Sequence, residues 1–117
     1  MKILLMVLLA AAVSLGATVV ETFDAPDTGI TGLAWGDGVL WAVDGTTQYI
    51  YGIDPSDGSV TTSFYVTDQT STYDPAAGGL AYGNGTIYLA MHSGTQYGKM
   101  YKYNASGAYQ GEFDVYC

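Results

Sequence analysis

Arginine is absent from this chain of 117 residues, histidine and cysteine occur once each, and 11 carboxylates face three basic residues. One of the three, Lys2, lies in a leader-like N-terminus, so beyond residue 17 only Lys99 and Lys102 oppose all of the acids. A surface of that balance repels phosphate backbones, which excludes nucleic acid as a partner and disfavours anionic membrane surfaces. A lone His and a lone Cys cannot cluster around a transition metal. No segment spaces its apolar residues at helical intervals, which argues against a bundle. Charged residues make up only 12% of the chain, yet 49% is hydrophobic, too apolar for disorder.

Glycine and tyrosine are plentiful, at 16 and 11 residues. That pair suits tight turns joining strands whose aromatic side chains pack on other strands. Residues 1–17 read as a secretory signal: a positive charge at Lys2, an apolar run over 3–13, then small residues at Ser14, Gly16 and Ala17. The competing reading is a membrane anchor, since weakly apolar residues continue to Val20. No basic flank follows, so a secreted chain without stable membrane insertion after cleavage is expected.

The remainder is written twice. Gly32-Leu33-Ala34-Trp35-Gly36-Asp37-Gly38 returns as Gly79-Leu80-Ala81-Tyr82-Gly83-Asn84-Gly85, and Leu40-Trp41 returns as Ile87-Tyr88, at an offset of 47. Tyr51 and Tyr101, Asp54 and Asn104, and Phe64 and Phe113 continue the match at offsets of 49 or 50, so the insertions fall between repeated strands. A unit of this length cannot bury its apolar surface alone and must stack on copies of itself. Within each unit, Asp37-Gly38 and Asn84-Gly85 supply the positive φ angles of a two-residue hairpin turn. Asp54-Pro55-Ser56-Asp57-Gly58 and Asn104-Ala105-Ser106-Gly107 close a second turn. Four strands per unit follow, at 30–35, 39–43, 48–53 and 59–66 in the first. A further echo, Glu21-Thr22-Phe23-Asp24 against Gly111-Glu112-Phe113-Asp114, makes the first strand after the leader an extra copy of strand four.

The expected fold is therefore all-β: two four-stranded antiparallel β-propeller-type blades plus an extra N-terminal strand. The divisions are signal 1–17, extra strand and linker 18–29, blade one 30–66, connector 67–77 closed by Pro75, and blade two 78–117. Gly32-Leu33-Ala34-Trp35, then Leu40-Trp41-Ala42-Val43-Asp44, then Ile53-Asp54-Pro55-Ser56-Asp57-Gly58 resembles secreted propeller repeats of the NHL, YVTN and glutamine-cyclotransferase-like kind. The resemblance implies the blade and leaves activity open, since such propellers include hydrolases, lyases, ligand binders and scaffolds. Closed propellers carry four to eight blades. Two blades leave two apolar faces bare, more than a soluble monomer tolerates.

Copies of the chain are therefore the expected partner, in an extracellular filament or a closed ring. The alternatives are a lectin-like ring that binds glycans at blade junctions, and a fragment of a larger propeller protein, although a leader at one end and a finished strand at the other read as a whole chain. Trp35, Trp41, Tyr82 and Tyr88 hold matching places and are the candidate inter-blade or assembly aromatics, with sugar stacking as their other reading. Val19, Val20 and Phe23 are candidate residues of a donated strand. Cys117 is a candidate for a disulfide between chains. Asn84 and Asn104 head N-glycosylation patterns, which would make a glycoprotein.

No catalytic, cofactor or metal site is expected. His92 reads as a loop residue. Asp44, Asp54, Asp57, Asp68 and Asp74 are placed where calcium could use them, but their spacing suits turn capping better. Ser14 and Ser93 lack the setting of a nucleophile.

Overall fold

The computed structural model describes residues 16–66, 74–92 and 97–116, with backbone alone at 74–77, 92, 97 and 116. The first sheet contains β1 (Ile30–Gly36), β2 (Val39–Asp44), β3 (Tyr49–Ile53) and β4 (Val60–Tyr65). The second contains β5 (Asp74–Gly83), β6 (Thr86–His92), β7 (Tyr97–Asn104) and β8 (Tyr109–Tyr116). Each is an antiparallel meander with its strands in chain order.

Local chemistry explains the turns. Asp37 and Gly38 take φ of 51° and 77°, and Asn84 and Gly85 take 50° and 73°, the left-handed pair that matches a hairpin's twist. At the β3–β4 turn the Asp54 side chain accepts the Ser56 N–H at 2.8 Å, and its carbonyl accepts the Gly58 N–H at 2.8 Å. At the β7–β8 turn Asn104 Oδ1 accepts the N–H groups of Ser106 at 3.0 Å and Ala108 at 2.8 Å. Asn104 thus replaces Asp54 with its acceptor role intact.

The pleat sends alternate residues to opposite faces. Register places Gly32, Ala34, Trp41, Val43, Ile50 and Phe64 on one face of the first sheet. In the second sheet Leu80, Tyr82, Ile87, Leu89, Tyr101 and Tyr103 share a face. These two faces pack together and hold the core, in which Trp41, Val43, Ile50, Val66, Ile87, Leu89, Met91, Tyr101 and Tyr103 are buried.

Two strand expectations change. The extra N-terminal strand takes no part in either sheet, because residues 16–25 have no regular structure in the single chain and are exposed. β5 reaches back to Asp74, into the expected connector, with a register shift between Asp74 and Gly79. The shift absorbs residues that the repeat leaves without counterparts in β1. Residues 1–15 of the expected signal and 67–73 of the connector lie outside the described residues.

Candidate assembly interface

The joint between the sheets rests on aromatic rings laid over glycine. Tyr82 stacks on Trp41 with ring centroids 6.2 Å apart and planes 7° from parallel. Its hydroxyl donates to Asp37 Oδ2 at 2.6 Å, and its ring fills the space that a Cβ on Gly36 would need. Hydrogen bonding to Asp37 is the main reason that the Tyr82 hydroxyl is less acidic than an ordinary tyrosine's. Where β1 passes β5, a Cβ on Gly32 would lie 3.1 Å from Gly79 Cα, so the backbones meet with little room for side chains. Phe64 tilts against Tyr103, ring centroids 5.6 Å apart, and lies across Gly107.

The chain's own N-terminal segment makes a similar contact on the opposite face of the first sheet. Phe23 lies across Gly58, leaving no space for a Cβ there. Phe23 and Phe64 are counterparts in the sequence, as are Gly58 and Gly107. The segment thus seats its phenylalanine where the fourth strand of a preceding unit would seat its own. It is tied down just behind, where Asp27 Oδ2 accepts the hydroxyls of Tyr51 at 3.0 Å and Thr47 at 3.2 Å. Ahead of that anchor, Val19 and Val20 stand 76% and 91% exposed. Phe23, Ala25 and Pro26 roof a hollow of about 170 Å³ over Leu33, Leu40, Ala42 and Ile53.

The residues of the joint have counterparts on the two outer faces. Leu33 and Trp35 correspond to Leu80 and Tyr82, yet are 59% and 60% exposed. Gly79, Gly83, Tyr88 and Phe113 correspond to Gly32, Gly36, Trp41 and Phe64. Among the described residues a Cβ on Gly79 or Gly83 would meet nothing within 4 Å, and Phe113 is 47% exposed. Between them a trough of about 190 Å³ runs over Gly79, Ala81, Tyr88, Ala90 and Met100. The pattern is kept while side chains change: Trp41, Val43, Ile50 and Gly52 are answered by Tyr88, Ala90, Met100 and Lys102, so that Trp41 lies over Gly52 whereas Tyr88 is paired with Lys102. The outer face of the first sheet copies the joint face of the second, and the reverse also holds.

Charge is handled locally. Asp44 is fully buried at the end of β2, and its carboxylate accepts the N–H groups of Gly29, Thr46 and Thr47, each at 2.7 Å. Burial alone would push that carboxyl up, but the N–H groups of Thr47, Thr46 and Gly29 outweigh it and hold it below the usual carboxylate range. Lys99 on β7 reaches Glu112 at 2.5 Å and Asp114 at 3.5 Å on β8. Its hydrogen bond to Glu112 is the main reason its ammonium is harder to deprotonate than usual.

A family model for a repeat of unknown function, DUF6923, matches residues 8–109. The chain belongs to the DUF6923 repeat family. The matched span covers both sheets apart from most of β8. No curated protein and no solved structure matches the chain.

Of the candidate aromatics of this DUF6923 chain, Trp41 and Tyr82 come together in the joint, whereas Trp35 and Tyr88 are carried on opposite outer faces. Asn84 is exposed at its hairpin turn, and Asn104 is half-buried with Oδ1 engaged. Asp44, Asp54 and Asp57 spend their carboxylates on nearby turn N–H groups. His92 ends β6 opposite Asp74. Cys117, Asp68, Ser14 and Ser93 lie outside the described residues. Among the described residues no three of His, Cys, Asp and Glu gather as a cation-holding group, and no helix is long and apolar enough to cross a membrane. Sequence reasoning missed the seating of Phe23 on Gly58. The signal for it was the echo of residues 111–114 at 21–24, which marks likeness but not where the segment docks.

Proposed function

We propose that this chain is a secreted structural subunit of the propeller-repeat type that assembles with copies of itself into an extracellular filament or closed ring, two blades per copy. The observation that carries the reading is the exchange of faces: each bare face copies a face that is buried within the chain. Burying Trp35, Leu33 and Phe113 contributes about 2 kcal/mol for each side chain. Association costs roughly 4–15 kcal/mol, so these three alone make a weak junction and the surrounding faces must join in. Strand donation is a second route, favoured by the exposure of Val19 and Val20 without a sheet partner.

Sedimentation of the chain freed of its leader, over a wide concentration range and beside electron microscopy, tests the proposal. Fibres or rings whose mass grows from a monomer support it. A monomer at every concentration refutes it. A ring of fixed mass that retains glycans moves the function to the lectin alternative, and a shapeless aggregate moves it to a fragment of a larger protein.

A further inference from the structure

We infer that the joint between copies is a head-to-tail repeat of the joint inside the chain, with Trp35 of one copy laid over Gly83 and Tyr88 of the preceding copy, and that Phe23 occupies a seat the neighbour must take. The inference rests on the self-assembly reading and adds the register of the contact.

Four correspondences set that register. Tyr82 stacks on Trp41 inside the chain, so Trp35 stacks on a neighbour's Tyr88. Tyr82 fills the space left by Gly36, so Trp35 fills that left by Gly83, which in the single chain faces nothing among the described residues. The Tyr82 hydroxyl donates to Asp37, and the Trp35 indole N–H has Asn84 Oδ1 as the counterpart acceptor, so donor and acceptor survive both substitutions. Leu33, the counterpart of Leu80, enters the trough over Gly79, Ala81, Tyr88 and Met100. Gly79 meets Gly32 through its backbone, but a side chain on Gly79 or Gly83 would meet nothing among the described residues, and an incoming neighbour gives both positions a packing role.

The contact is heterologous: the face that is offered differs from the face that receives, so it propagates as a filament or closes as a ring. Phe64 sits on Gly107 inside the chain, which puts Phe113 of the preceding copy on Gly58. Phe23 already sits there. Its segment is held at Asp27 and carries exposed residues ahead of that anchor, so it can leave the seat without disturbing either sheet. The N-terminal segment therefore competes with assembly and sets the concentration at which it starts.

The test uses three variants of the chain freed of its leader. Trp35→Ala removes an exposed ring and Gly83→Val adds a side chain in open space at ordinary φ, so neither change burdens the fold. Each variant alone should associate roughly thirtyfold more weakly than the unaltered chain. An equal mixture should give a one-to-one pair and nothing longer, because the first variant keeps the receiving face and the second keeps Trp35. Deletion of residues 18–23 should tighten association about tenfold. If Trp35→Ala alone has no effect, the contact is back to back. If Gly83→Val alone has none, it is front to front. If the deletion abolishes assembly, the joint is a donated strand. Each of these three results overturns the register while leaving self-assembly standing. If the unaltered chain and the deletion variant both stay monomeric, self-assembly fails and the register with it.

Discussion

Phe64 lies across Gly107 so closely that a Cβ there would be 2.5 Å from its ring carbon Cγ. Gly107 also has φ of 87°, so an alanine meets backbone strain and overlap together. Gly107→Ala is expected to cost roughly 2–4 kcal/mol. Gly85→Ala, at φ of 73° with open space around it, should cost only about 1 kcal/mol. Urea denaturation of both in dilute solution compares them. Equal losses would mean that the joint contributes nothing at Gly107.

Asp44 makes the fold acid-sensitive. Its folded-state pKa lies below the unfolded one, so its stabilisation is present above about pH 4 and is lost as pH falls through the folded value. Asp44→Asn keeps one acceptor and removes the titration, so its stability should fall less steeply than that of the unaltered chain between about pH 5 and pH 2. At neutral pH the variant should be less stable by roughly 2 kcal/mol, since a charged acceptor of buried N–H groups is lost. Parallel pH profiles from denaturant midpoints would remove Asp44 as the cause.

Tyr103 is buried with a hydroxyl that finds no hydrogen-bond partner among the described residues, and Trp41 Nε1 is in the same position. Burial is the main reason the Tyr103 hydroxyl resists ionisation. Tyr103→Phe removes an orphaned polar atom and keeps the ring against Phe64. It should raise stability by about 1 kcal/mol. A thermal midpoint below that of the unaltered chain would show that the hydroxyl is partnered after all.

Salt should favour assembly. The chain carries a formal charge of −8, so copies repel at low ionic strength. Raising salt from about 0.01 M to about 0.15 M shortens the screening length from roughly 30 Å to roughly 8 Å. Sedimentation at the two salt levels should show the larger species gaining. Dissociation by salt would point to ion pairing across the joint instead of apolar faces.

The hairpins were legible because their chemistry is local: Asp37-Gly38 and Asn84-Gly85 specify their turns whatever surrounds them. The two-unit sheet order was legible through the repeat. Face assignment was not, because Leu33, Ala34 and Trp35 are apolar in succession and give no sign of which side meets the second sheet. Asp44 reads in sequence as one loop carboxylate among several; only folding gathers Gly29, 15 residues away, onto it. The likeness of residues 21–24 to 111–114 was legible too, but it marks a strand pattern and not a partner: the segment pairs with neither sheet, and Phe23 packs on Gly58 instead.

The positions of the two tryptophans give the molecule its own optical readout. Trp41 is sealed between the sheets and Trp35 stands in water. Loss of the fold therefore changes chiefly the emission of Trp41, whereas covering the outer face changes that of Trp35. A single unlabelled sample can thus report stability through one indole and association through the other, with Trp35→Phe and Trp41→Phe assigning the signals.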